Sequence, residues 1–250
     1  MRFIMLLSLL IFVPKNHQIP HAHPKETFDF EAIHPTSPSG AVKVKFDPND
    51  CIIAGLPLRF VILYAFDIHD YQLLNAPAWV NSTRYDIEGK VLDEMGDADQ
   101  SGEPDKNIGK ADILRERLRD MLSRRFGLKS TSAQVVRPVY ALSVVKQGTK
   151  MTVSTGPRRY SLGPGQLSAE NLDMGQLADL LSGATDRVVL DETGLSAVYS
   201  FNLHFAPNDS TTDIPSLFTA LQEQLGLRLL PKKDLVNVVT ISQIHEPTAN

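Results

Sequence analysis

The chain has 250 residues, 42% of them hydrophobic and 22% charged, and carries a net charge of −4. That balance belongs to a globular protein able to bury one sizeable core or two small ones, so disorder along the whole chain is excluded. The acidic excess creates no overall positive field and argues against nucleic acid or an anionic membrane surface as partner.

At the N-terminus, Arg2 is followed by an apolar run over 3–13 and then by Pro14. The run is too short to cross a bilayer as a helix, which takes about 20 residues, but it suits the middle of a secretory signal. Residues 1–25 therefore read as a signal peptide and leader. The protein is expected to be secreted or periplasmic, with no membrane span beyond an uncleaved signal. Cys51 is the single cysteine. It has no partner for a disulfide or a zinc site and reads as a small buried hydrophobe.

After the leader, Phe28, Phe30, Ala32 and Ile33 suggest a strand, and 35–40 a turn-rich loop. Val42, Val44 and Phe46 alternate with Lys43 and Lys45, the pattern of a half-buried strand. Over 57–66, Leu58, Val61, Ile62 and Ala65 repeat at helical spacing behind Pro57. An extended run follows at RYDIEGKV, and the acidic, glycine-containing stretch 93–109 reads as a loop. A helix over 111–126 carries Ile113, Leu114, Leu118, Met121, Leu122 and Phe126 on one face, and Gly127 stops it. β-rich sequence from Val135 to Val145, interrupted by Pro138, predicts two strands.

The second half repeats this plan. Short strands at 151–155 and 166–170 surround a Pro/Gly loop, and a helix covers 173–182. Strands at 188–190 and 199–205 flank a turn at Thr193-Gly194, a helix runs from Pro215 to Leu225, and a last hairpin occupies 227–229 and 236–241. Phe126-Gly127-Leu128 corresponds to Leu225-Gly226-Leu227, which points to an internal duplication. The predicted fold is α+β: duplicated αββ units, with mixed or antiparallel sheets and short helices packed on one face. The halves span 26–149 and 150–250.

Four ordered blocks resemble a family of soil-associated bacterial proteins described as a domain of unknown function. They are LRFVILYAFDIHDYQLLNAPAWVNSTRYDIEGK, ERLRDMLSRRFGLK with VYALSVVKQG, DMGQLADLLSGATDRVVLDETGLSAVYSFNLHFAP, and PSLFTALQEQLGLRLLPKK with VVTISQIHEPTAN. The resemblance implies export, and similar domains occur attached to antibiotic-sensing membrane metallopeptidases. No zinc-peptidase motif is present here, so that activity does not transfer. Ser200 stands where the family more often has aspartate.

No catalytic residue, metal ligand set or cofactor is predicted, because the local signatures of hydrolases are absent. His17, His21 and His23 read as a solvated leader, and Asp97, Asp99, Ser101 and Gly102 as an acidic loop that lacks the closing glutamate of a calcium site. The arginines of the 111–126 helix, interleaved with acids, read as a solvated face. Tyr71, Trp79, Arg84 and Tyr85 form the candidate recognition cluster, read as one hairpin with large amphipathic anchors. The functional expectation is a non-enzymatic extracytoplasmic binding module meeting an envelope protein or peptide. The alternative is an exported hydrolase or an accessory to a sensor metallopeptidase.

Overall fold

The computed structural model describes residues 27–37, 40–92, 106–207 and 214–247. The leader, its three histidines and the acidic stretch 97–102 lie outside the described residues. The first half runs β1 (Phe30–Pro35), β2 (Lys43–Lys45), β3 (Asp50–Pro57), α1 (Leu58–Phe66), β4 (Leu73–Leu74), α2 (Ala78–Ser82), β5 (Arg84–Lys90), α3 (Lys106–Phe126) and β6 (Lys129–Val144). The second runs β7 (Thr152–Val153), β8 (Arg159–Gly163), β9 (Gln166–Leu172), α4 (Met174–Ala184), β10 (Val189–Asp191), β11 (Tyr199–His204), α5 (Leu217–Ala220, continued by a π turn over Leu221–Leu225) and β12 (Leu227–Gln243). The fold is α+β, as the sequence predicts.

Two of the three sheets have corresponding orders, β1-β5-β3-β2 and β7-β11-β9-β8, and every pairing in them is antiparallel. In both, a helix follows the third strand and turns its apolar stripe inward. Leu58, Val61, Ile62 and Ala65 are the buried face of α1. On α4 the buried positions Met174, Leu177, Ala178 and Leu181 repeat that spacing. Asp173 starts α4 by accepting from the Gln176 N–H at 2.8 Å while its own N–H is held by the Gln176 side chain, a reciprocal cap.

The third sheet overturns the hairpins expected after the long helices. β6 and β12 are single strands paired with each other from Lys129↔Gln243 to Val144↔Leu227, and the sheet order is β10-β6-β12-β4. Each short strand joins the other half's long strand in parallel, β4 beside β12 and β10 beside β6. Pro138 does not break β6. The Tyr140 N–H donates outward to the Val188 carbonyl, so by the two-residue alternation the nitrogen of Pro138 also faces outward, beyond the end of β10, where no donor is needed. Likewise β10 and β11 are not the two arms of one hairpin, because they belong to different sheets.

The β6–β12 ribbon carries a core at each end. Leu128, Val239 and Ile241 enter the first, with α1, α3 and the β1-containing sheet. Leu142, Leu227 and Leu229 enter the second, with α4 and the β7-containing sheet. β2 is not half-buried: Val42, Val44 and Phe46 are exposed, because β2 is a three-residue edge strand, and Phe46 stacks on Tyr64 at 4.0 Å instead. The arginines of α3 are not simply solvated either. Arg117 is buried and donates to the Pro48 carbonyl and to Asn49 Oδ1, and Arg124 pairs with Glu31 of β1. They fasten the helix to the sheet it covers. Cys51 is fully buried, and burial pushes its thiol up to about 12, so it stays protonated and behaves as packing.

Both antiparallel sheets have a bulge at the same place. Ala54 and Gly55 stand opposite Asp86 alone, and Glu170 and Asn171 opposite Ser200 alone. The second bulge residue has positive φ in each, 73° at Gly55 and 52° at Asn171. In the first half, Asp86 Oδ1 accepts from the Gly55 N–H at 2.9 Å and the Thr36 hydroxyl at 2.7 Å. With serine at 200, the second half has no such carboxylate, and Asn171 Oδ1 and Ser154 Oγ are buried without a partner. Asp86→Ala orphans two donors and is expected to cost about 1–3 kcal/mol, read as a lower urea midpoint at unchanged slope. An unchanged midpoint would show that the bulge is held by strand pairing alone.

Candidate functional site

The structure separates the four residues the sequence groups together. Tyr85 points inward from β5, is 2% exposed, and meets Phe126 edge-on with ring centroids 5.4 Å apart. It is a core residue, because the alternation of β5 sends Tyr85 and Ile87 inward and Arg84 and Glu88 outward. Arg84 is exposed and donates to the Gly55 carbonyl at 3.2 Å. Trp79 sits on α2, half-buried against the first core. Tyr71 lines a cavity that is built by both halves.

The cavity, about 250 Å³, opens over the middle of the ribbon. Val236 and Val238 of β12 are its buried floor, with Leu74 of β4 and Val188, just before β10, half-buried at its sides. Tyr71 comes from the turn before β4, and Asp186 and Arg187 from the turn before β10. Tyr71 and Arg187 stand in equivalent places, since both precede the short strand by two residues (Leu73 and Val189). The pocket therefore spans the junction of the halves, a common place for a ligand site.

Its polar groups differ in how fully they are engaged. The Tyr71 hydroxyl donates to the Ser182 carbonyl at 3.3 Å, and burial holds its pKa well above the usual phenol value, so it remains protonated. Arg187 binds the Asp186 carboxylate through two nitrogens, at 2.9 and 2.6 Å, and lies 4.6 Å over the Tyr140 ring. Hydrogen bonding to Arg187 keeps the Asp186 carboxyl below the ordinary range.

The Arg137 side chain makes no hydrogen bond or ion pair among the described residues. Its cross-strand neighbour is Asp234, but that carboxylate already accepts from Lys232 Nζ at 2.9 Å and from the Leu235 N–H at 2.8 Å. The lining contains no cysteine, serine or histidine, and its two groups able to act as nucleophile or base are engaged, Asp186 by Arg187 and the Tyr71 hydroxyl by the Ser182 carbonyl. Such an arrangement suits holding an apolar group beside a positive charge.

Beside the pocket, a second contact joins the halves: His69 Nε2 lies 3.1 Å from Asp179 Oδ1, and His69 lowers the pKa of that carboxyl. Sequence reading missed Arg137, Asp186, Arg187 and the valines, which come together only once the two long strands pair. A family model described as "Protein of unknown function (DUF3738)" matches residues 59–244. No curated protein and no solved structure matches the chain.

Proposed function

Because the chain belongs to the DUF3738 family of proteins of unknown function, we propose that it is an exported, non-enzymatic binding module, secreted or periplasmic. On this reading it arose by duplication of one sheet-and-helix unit. The duplication is supported by the matching strand orders, the shared bulge and the even offset between halves: Leu58 and Met174 open α1 and α4, and Leu73 and Val189 open β4 and β10, each pair 116 residues apart. Export is supported by the N-terminal charge and apolar run. No helix among the described residues is long and apolar enough to cross a membrane.

The observation that carries the binding reading is the pocket at the junction, with an apolar floor, an unengaged arginine, and a carboxylate and a phenol that are already hydrogen-bonded. Val188 is half-buried at the edge of the small apolar cluster of Val139, Val236 and Val238, so Val188→Trp fills the pocket from its wall. Ligand-observed NMR with a fragment library is expected to yield hits for the wild type that disappear in Val188→Trp at unchanged thermal midpoint. Hits that persist in the variant would move the binding site elsewhere. Turnover of any member of an ester, amide or glycoside panel would contradict the non-enzymatic reading.

A further inference from the structure

We infer that the junction pocket takes an apolar group carrying one carboxylate, whether a small free acid or the end of a chain; this rests on the pocket being a binding site. Three observations lead there. The interior is apolar: Val236 and Val238 are buried beneath it, and Leu74, Val188 and Pro138 complete its walls. An apolar body gains by covering these surfaces.

The mouth also presents a guanidinium whose donors are free, because Lys232 is shared by Glu192 and Asp234 and Arg187 is bound to Asp186. Asp186 and Arg187 satisfy each other, whereas Arg137 stands exposed with its cross-strand aspartate already taken by Lys232 and a backbone N–H. A planar guanidinium with free donors donates two parallel hydrogen bonds to a carboxylate, beside an apolar wall that lowers competition from water. A cationic ligand would find no acceptor on Arg137, and a neutral one would leave its donors to solvent.

The pocket is also small. About 250 Å³ accommodates one short aliphatic or aromatic body, and the single unengaged cation matches a monoanion. Tyr71, with its hydroxyl proton committed to the Ser182 carbonyl, serves as wall rather than as anion donor.

The test uses the full chain with 4-phenylbutyrate, 4-phenylbutanol and 4-phenylbutylamine, plus an acetylated leucine-terminated tetrapeptide as free acid and as amide. The acid is expected to bind at least about 10-fold more tightly than the alcohol, an advantage that weakens with salt. Arg137→Gln should erase that preference while leaving the thermal midpoint unchanged, and Val188→Trp should remove binding altogether. If the peptide acid outbinds its amide by the same ratio, a chain terminus shares the site and the inference stands. Equal binding of acid and alcohol, sensitive to Val188→Trp, would overturn the carboxylate assignment but leave the pocket as a binding site. Binding of none of the probes at millimolar concentration would overturn this inference, and the fragment screen then decides the binding reading separately.

Discussion

Expressed separately, residues 26–149 and 150–250 are each expected to lack cooperative structure, and mixing them is expected to restore it. The reason lies in how the apolar side chains are shared. β12 supplies Leu227 and Leu229 to the core of its own half and Val239 and Ile241 to the core of the other. β6, in return, places Leu142 in the second core, while β4 and β10 each pair only with the long strand contributed by the opposite half. Either half alone would therefore expose one long strand with both edges unpaired and leave its own core open on one side. Unpaired backbone and exposed apolar surface of that extent outweigh the few kcal/mol by which a small domain is stable. Amide dispersion in two-dimensional NMR spectra decides the matter. A single half with native-like dispersion and a cooperative urea transition would show that the ribbon is an accessory and not the frame.

Phe126→Ala is expected to cost about 3–5 kcal/mol, the range for emptying a buried aromatic site. Phe126 has no exposed surface, closes the first core against Tyr85 at an interplanar angle of 89°, and lies three residues before β6. Its carbonyl also accepts the His245 N–H at 2.9 Å, which holds the end of the chain beyond β12. Because the cavity opens beside the start of the ribbon, the loss is expected to reach the second half as well as the first. Phe30→Ala, at an edge position 46% exposed, serves as the control and is expected to stay within about 0.5 kcal/mol. Fluorescence of the single tryptophan, Trp79, which packs on the first core, reports one end of the ribbon, and far-UV circular dichroism reports the whole.

Helices α1, α3 and α4 were legible because their periodicity is a local property, whereas the five-residue α2 (Ala78–Ser82) is too short to show one and was not foreseen. The stripe at Leu58, Val61, Ile62 and Ala65 and its counterpart on α4 appear in any window of ten residues, and Asp173 with Gln176 marks the start of α4 without reference to the rest of the chain. The long strands were not legible in the same way. Pro138 in β6, and Pro231 with Lys232 and Lys233 in β12, look like breaks within a local window. They are tolerated because the partner strand, about a hundred residues away, and the short reach of β10 decide where a missing donor or an exposed lysine does no harm. Tyr85 was a different failure: Arg84, Glu88 and Lys90 alternate with Tyr85, Ile87 and Gly89, a signal that already places the ring inward.

The pocket follows the same logic. Tyr71 could be singled out as an amphipathic aromatic, but Arg137 is distinctive only because Asp234, across the ribbon, is committed to Lys232. That pairing is invisible until β6 and β12 are brought together. Ser200 stands opposite the second bulge where Asp86 stands opposite the first. The first half keeps a carboxylate opposite its bulge that accepts from two donors, whereas the second has only a hydroxyl residue there.

Hydrogen exchange along the ribbon, compared between the wild type and Phe126→Ala, probes most directly whether the two halves form one cooperative frame. Amides near Lys129 and Gln243, beside the substitution, and those near Val144 and Leu227, at the far end, are expected to lose protection by the same factor. Loss confined to the near end, with Leu142 and Leu229 as protected as before, would mean two separately stable halves and would remove the basis for a pocket built jointly by both.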